Sequence, residues 1–147
     1  MSKLLTVLYE VAEIRAGCQR VHDERFGLSA RSVLRAITGR PSGTPAAQCA
    51  ELRHLAERLE QARERLDELE AEDLAIRSGH EINATLRDYV SALARSLSDL
   101  EQLCRHEHAV PAAPAGDDSA PLKVAYDDAL QQQKRLATRL NALISGL

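Results

Sequence analysis

Aromatic side chains are scarce in this chain: only 3% of its 147 residues are Phe, Trp or Tyr, Trp is absent and Phe occurs once. A compact core of mixed sheet and helix normally uses more large rings, so the composition argues against one. Ala, Leu, Arg and Glu are abundant instead. That composition is typical of long helices that meet through aliphatic side chains.

Long apolar runs and a basic surplus are also missing. No segment approaches the roughly 18 uninterrupted apolar residues of a membrane-spanning helix, and the N-terminus lacks a basic region followed by an apolar run and a cleavage site. A formal net charge of −3 and a pI near 6.0 provide no general attraction for a phosphate backbone. We therefore expect a soluble, cytoplasmic protein that binds neither nucleic acid nor a membrane.

Signatures of catalysis and cofactor binding are absent as well. The sequence contains no glycine-rich phosphate loop, dinucleotide fingerprint, nucleophile elbow or metal-binding histidine pair on a helix. Its three cysteines, Cys18, Cys49 and Cys104, match no zinc or disulfide framework, which fits a reducing compartment. We expect a protein that is not an enzyme and that needs no cofactor.

Apolar residues recur at alternating steps of three and four, which is the period of amphipathic helices that pack in coiled coils. The predicted fold class is all-α, with long antiparallel helices forming a coiled-coil-like bundle in a single elongated domain. The pattern and the Pro and Gly positions predict helices at about 2–25, 29–38, 45–108 and 119–146, with a loop at 110–118.

Two leucine-rich heptad stripes in the third predicted helix form a predicted interaction seam. Its residues are Leu52, Leu55, Leu59, Leu66, Leu69, Leu86, Val90, Leu93, Leu97 and Leu100. The stripe slips by one residue between Asp73 and Gly79. A continuous helix is favoured here because a lone Gly costs only about 1 kcal/mol within a helix. A break near 78–80 is the alternative, since Ser78 and Glu81 have capping-box spacing.

Helix continuity also decides the predicted oligomeric state. With a continuous helix, the first and last helices fold back along 45–70 and 80–108, and each half is a two-helix hairpin with exposed apolar flanks. Those flanks are Leu5, Leu8 and Ala12 in the first helix and Leu130, Ala137 and Ile144 in the last. Two chains would complete a four-helix bundle in each half, so we expect a homodimer. With a break, the helices can close into a single-chain bundle instead.

Charge is distributed unevenly along the sequence. Residues 1–41 contain seven basic and four acidic side chains, whereas residues 51–73 contain four basic and nine acidic ones. These two segments are expected to attract each other. Glu60, Glu64, Glu68 and Glu72 would line one helical face. This acidic face is expected to be solvated, and docking of a partner is the alternative.

Residues 79–86, Gly-His-Glu-Ile-Asn-Ala-Thr-Leu, combine a His-Glu pair with an aliphatic residue and with a leucine six positions after the histidine. Residues 133–144 add Arg-Leu and Leu-Asn-Ala-Leu stretches in the last predicted helix. Together the two segments resemble the dimerisation and histidine phosphotransfer region of sensor histidine kinases. That resemblance implies that His80 accepts a phosphoryl group and that Glu81 acts as the adjacent base.

The segment departs from the family pattern where Ala84 and Thr85 replace a Thr or Asn followed by Pro. The 147 residues contain no ATP-binding domain, so a phosphoryl group would come from another protein. The alternative is structural: His80 would occupy a polar gap in the seam and set its register with Asp73 and Asn83. A second cluster pairs Cys104 with His108 on one helical face, a candidate zinc site only if other chains supply further ligands.

The favoured function is a non-enzymatic helical protein–protein interaction module, meaning an adaptor, an assembly factor or a secretion-type chaperone. Its apolar seam and its acidic face would hold a partner helix. The alternative function is a histidine phosphotransfer or kinase-dimerisation module that acts through His80.

Overall fold

The computed structural model describes residues 3–26, 45–109 and 120–146, and within these ranges the chain is helical without any strand. The all-α prediction is confirmed. The helices of the described residues are α1 (Lys3–Phe26), α2 (Pro45–Asp67), α3 (Gly79–Ala109) and α4 (Ala120–Ser145), with a short 3-10 turn at Ala71–Leu74. The predicted helix at 29–38 and the predicted loop at 110–118 lie outside the described residues.

The four helices pack into an antiparallel bundle within one chain. α1 packs on α2, α2 on α3 and α3 on α4, and α3 also contacts α1 across the bundle. Two ion pairs give the antiparallel direction of each of the first two helix pairs: Arg58–Glu10 and Arg20–Glu51 join α1 to α2, and Arg87–Asp67 and Arg53–Glu101 join α3 to α2. α4 is antiparallel to α3, since Tyr126 lies near Leu100 and Ile144 near Leu86. The predicted folding back of the first and last helices is therefore confirmed. None of the described helices combines the length and the apolar character needed to cross a bilayer.

The apolar stripe predicted for the first helix forms one side of the core. Its buried residues are Leu4, Val7, Val11, Ile14, Cys18 and Val21. Of the predicted seam residues, all are buried except Leu69, which is half-buried. The seam therefore packs inside its own chain and is not exposed to a partner. Burial of such side chains contributes roughly 25 cal/mol for each Å² of apolar surface removed from water.

α3 is the central helix because two of its faces are buried. The seam residues of α3 pack against α1 and α2, while a second stripe of α3 that includes Tyr89 and Ser96 packs against α4. The residues of this second stripe are Thr85, Tyr89, Ala92, Ser96 and Leu103. A helix that is buried over more than half of its circumference must be covered from several sides. α3 therefore holds the other three helices together.

The prediction of one continuous helix over 45–108 is wrong, and the chain breaks where the alternative located it. α2 ends at Asp67, and α3 begins at Gly79. Between them, Glu70 and Asp73 form a reciprocal capping box around the 3-10 turn. Ser78 then adopts a φ of 59°, in the left-handed region that a continuous α-helix excludes. The chain thus reverses direction between α2 and α3.

Gly79 is required at this reversal by close contact between backbone segments. A Cβ atom at this position would overlap the carbonyl oxygen of Leu74, and backbone cannot move aside as a flexible side chain can. Arg87, about two turns into α3, then joins this helix to the end of α2, since its guanidinium donates to Asp67 Oδ1 at 2.6 Å and to the Leu66 carbonyl at 2.7 Å. That carbonyl is one of the terminal groups that α2 leaves without an intrahelical donor.

The break changes two other predictions. Glu68 and Glu72 lie beyond the end of α2, so the predicted acidic row on one helix is reduced to Glu60 and Glu64, which are exposed. The reason for expecting a homodimer also changes, because the helices close into one bundle rather than into two separate hairpins. The homodimer itself stays a prediction.

The predicted attraction between residues 1–41 and the acidic residues 51–73 is present in part. Arg20 of α1 pairs with Glu51 of α2 at 2.9 Å, in the expected sense. Arg58 reverses that sense, because this basic residue of α2 binds Glu10 at 2.8 Å and Glu13 at 3.1 Å on α1. Glu10 and Glu13 are therefore paired on the side of α1 that faces α2.

Replacing Gly79 by Ala tests the origin of the break. If the glycine merely interrupted a continuous helix, the alanine would stabilise the protein by about 1 kcal/mol. Because the added Cβ overlaps the Leu74 carbonyl, we expect Gly79→Ala to lower the free energy of unfolding by about 2 kcal/mol. Urea denaturation followed by circular dichroism measures the difference. Gly146→Ala, where the added Cβ meets ordinary van der Waals contact, is the matched control and should be nearly neutral.

Candidate functional site

α1 and α4 are the neighbours in the bundle that contact each other least, and they meet mainly at one end. There the rings of His22, Phe26 and Tyr126 form an aromatic cluster with centroid separations of 5.1 to 6.0 Å. His22 Nδ1 lies 2.8 Å from Tyr126 Oη. Lys123 of α4 places its ammonium 5.8 Å from the centre of the Phe26 ring. This aromatic cluster joins the C-terminal end of α1 to the N-terminal end of α4.

Towards the other end the same two helices separate and leave an open groove of about 420 Å³. α3 forms the floor of the groove through Leu86 and Tyr89. The walls consist mostly of apolar or small side chains. They are Leu5, Leu8, Tyr9, Val11, Ala12 and Arg15 from α1, and Ala137, Leu140, Asn141 and Ile144 from α4. We call this the α1–α4 groove, and its volume lies within the ~300–1,000 Å³ of typical ligand clefts.

The apolar flanks noted in the sequence contribute to this groove. Leu5, Leu8 and Ala12 widen the buried stripe of α1, and Ala137 and Ile144 widen that of α4. Tyr9 lies at the edge with 67% of its surface exposed, the largest exposure of any large hydrophobic residue in the described part of the chain. The sequence predicts a dimer contact for the apolar flanks, not a groove within one chain, and it does not single out Tyr9.

Tyr89 adds a buried hydroxyl to the floor of the groove, and Gln133 lies buried beyond the groove lining. Burial raises the pKa of Tyr89, while the positive charge of Arg15 and the Gln133 amide oppose that shift. Gln133 Oε1 accepts a hydrogen bond from Ser96 Oγ at 2.8 Å. This buried polar contact favours one register of α4 against α3, because a slip along either helix would separate Gln133 Oε1 from its Ser96 donor.

Arg15 is the one charged residue among the side chains that line the α1–α4 groove. It is exposed and forms no ion pair within the described residues. Lys134 lies two turns before Asn141, outside the groove lining, and it is also exposed and forms no ion pair within the described residues. The groove therefore joins an apolar surface to positive charge that no described residue neutralises.

A second, smaller groove of about 240 Å³ runs between α2 and α3. Small or apolar residues such as Ala56, Val90 and Ala94 line it, but Glu60, Arg63 and Glu101 also border it. Because charges of both signs surround it, this groove has no preference for one charge class of partner. The α1–α4 groove is therefore the stronger candidate site.

His80 is exposed at the second position of α3, and Glu81 beside it is exposed as well. The predicted placement of His80 in a polar gap of the seam is wrong, because its side chain lies in solvent. The expectation that His80 performs no chemistry stays a prediction. Asp73 instead accepts the Glu70 backbone N–H at 3.0 Å and caps the 3-10 turn. The segments that resemble histidine kinases lie on α3 and α4, which pack on each other along most of their length.

The cysteines form no disulfide in the described residues. Cys18 is buried, and burial raises its pKa to about 12, which keeps it an unreactive thiol. Cys104 is also buried, with its Sγ 3.9 Å from Gln48 Oε1. The side chain of His108 lies outside the described residues, so the Cys104–His108 pair stays a prediction. No group of three or more potential metal ligands occurs among the residues that are described.

No family model matches the chain, and neither a curated protein nor a solved structure matches it.

The aromatic cluster makes the stability of the bundle sensitive to pH. Burial lowers the pKa of His22 from its ordinary 6.5, and the nearby charge of Lys134 lowers it further, against the opposing effects of Asp23 and Asp127. The unfolded chain then takes up a proton at a higher pH than the folded protein. We expect the free energy of unfolding to fall as the pH is lowered from about 7.5 to about 5.5.

Urea denaturation at each pH measures this effect. His22→Gln should flatten the pH dependence, whereas His54→Gln, at an exposed position of α2, should leave it unchanged. An equal pH dependence in the parent protein and in His22→Gln would contradict the assignment.

Proposed function

We propose that the protein is a non-enzymatic helical protein–protein interaction module, acting as an adaptor, an assembly factor or a secretion-type chaperone. The α1–α4 groove is its binding site. The observation that carries this proposal is that one side of the four-helix bundle is open and apolar, whereas the predicted seam is buried within the chain.

The shape of the groove favours a helix as the bound element. Leu5, Leu8 and Ala12 on α1 and Ala137 and Ile144 on α4 follow the spacing of three, four and seven residues that lines a helical surface. A partner helix with anchors at the same spacing packs its ridges between these two rows. The bound helix would cover the apolar walls that the separation of α1 and α4 leaves in contact with water.

A substitution that fills the groove tests this proposal. Ala12 is exposed and lines the groove, so a larger side chain there occupies the site without entering the core. We expect Ala12→Trp to melt within about 1 kcal/mol of the parent protein and to lose the cellular partner that the parent protein captures. Affinity capture followed by mass spectrometry identifies that partner.

Ala142→Trp is the matched control, because Ala142 is exposed on the face of α4 that points away from the groove. It should retain the same partner. Equal capture by the two variants would show that the groove is not the binding site.

A second candidate function is histidine phosphotransfer through His80. The exposed His80 and Glu81 at the start of α3 favour it, since a phosphotransfer partner needs access to the imidazole. In this function α3 and α4 would be the helix pair that the resemblance to sensor histidine kinases implies. A phosphorylated response regulator would donate the phosphoryl group.

We expect His80→Asn to retain the fold and the captured partner, with a free energy of unfolding within about 1 kcal/mol of the parent protein. Asparagine keeps a short polar side chain in a solvent-exposed position, so little packing is lost. Incubating both proteins with phosphorylated response regulators separates the two functions. Phosphoryl transfer to the parent protein and not to His80→Asn would favour the second function.

A further inference from the structure

We infer that the α1–α4 groove binds an amphipathic helix of another protein, and that this helix carries carboxylates beside its apolar stripe. The inference rests on the proposed function and adds the charge of the partner. It follows from the cations at the groove and from the ion pairs that hold Glu10 and Glu13 of α1 on the side facing α2.

The groove supplies positive charge without a carboxylate to neutralise it. Arg15 lines the groove and forms no ion pair within the described residues. The acidic residues nearest to it on α1, Glu10 and Glu13, are bound by Arg58 on the α2 side. α4 contains no Asp or Glu after Asp128.

Lys134 adds a second cation just beyond the part of α4 that lines the groove. It precedes Ala137 by three residues and Asn141 by seven, so it lies on the same side of α4 as these two lining residues, and its charge also acts on His22 of α1. A carboxylate that approaches this end of the groove would therefore be attracted by both cations. Because a docked helix excludes water from the contact, the attraction would be stronger than between two fully exposed charges.

The spacing along α1 specifies where the carboxylates of the partner should lie. The apolar wall from Leu5 to Ala12 extends about 10 Å along the helix axis at 1.5 Å per residue. Arg15 follows Ala12 by three residues, which is close to one helical turn. A partner helix with two turns of apolar anchors would thus need its carboxylate about one turn beyond them.

A second copy of this chain matches the groove poorly. Two grooves facing each other would bring Arg15 and Lys134 of both copies into one interface, and like charges at an interface are unfavourable. The exposed acidic residues Glu60 and Glu64 of α2 could not serve as the carboxylates of a second copy docked in the groove. The apolar residues beside them, Leu59, Ala62 and Leu66, are buried in the core and cannot enter a groove.

Two model peptides of about 18 residues test the inference, since this length allows a stable helix when it is bound. Both carry leucines at alternating steps of three and four. Glutamates flank the leucines in one peptide, and lysines replace those glutamates in the other. Fluorescence anisotropy of labelled peptides gives the dissociation constants for the full chain. We expect the acidic peptide to bind at least about ten-fold more tightly than the basic peptide at low salt. The ratio of the two dissociation constants should shrink as salt is added.

Variants of single cations locate the preference. Arg15→Gln should reduce the ratio between the two peptides to about three-fold or less. Arg135→Gln is the matched control, because it removes one positive charge from an exposed position on the far side of α4. It should leave the ratio unchanged. Ala12→Trp should weaken both peptides by filling the groove.

The possible outcomes separate this inference from the proposed function. Equal binding of the two peptides, lost in Ala12→Trp, would overturn the charge preference and leave the interaction module standing. An unchanged ratio in Arg15→Gln would also overturn it. If neither peptide bound, the inference would be wrong. Light scattering would then compare the parent protein with Ala12→Trp. A dimeric parent and a monomeric variant would show that a second copy occupies the groove instead. Failure of the proposed function would appear separately, as equal partner capture by Ala12→Trp and Ala142→Trp.

Discussion

The close approach of Gly79 to the Leu74 carbonyl is the contact on which the arrangement of the helices depends. It allows the chain to reverse between α2 and α3, and the ion pair of Arg87 with Asp67 then holds α3 against the end of α2. Without that reversal the two seams would lie end to end along one rod. With the reversal they face each other, so the aliphatic surface that heptad periodicity creates is buried within a single chain.

Because two faces of α3 are buried, the other three helices all pack against this helix. α1 and α2 cover one face, and α4 covers the other through Tyr89 and Ser96. α4 depends on α3 for most of its packing, and only the aromatic cluster around His22 and Tyr126 draws one end of it towards α1. The opening at the other end is therefore a consequence of how the bundle is held together.

The sequence predicted the parts of this fold that depend on local periodicity. The buried stripe from Leu4 to Val21 was recognisable because heptad spacing is a property of one helix. The break was judged wrongly because the cost of Gly79 in a helix is a local quantity, whereas its contact with Leu74 exists only in the folded chain. The flanks Leu5 and Ala137 were visible as apolar positions, but their meeting in one groove depends on how α1 and α4 are placed on α3. The ion pairs of Arg58 depend on how α2 is placed against α1, so helix periodicity alone could not predict them.

The groove is maintained by the residue beneath it. Tyr89 is 4% exposed and lies on α3 under both walls, so its ring occupies the space into which α1 and α4 would have to move in order to meet. Ala12 and Ala137 on the two walls have short side chains that fill little of the groove. Closing the groove would require displacement of the buried Tyr89 ring, and a slip of α4 along α3 would separate Gln133 Oε1 from Ser96 Oγ. A helix docked as proposed would cover the same apolar walls without either change.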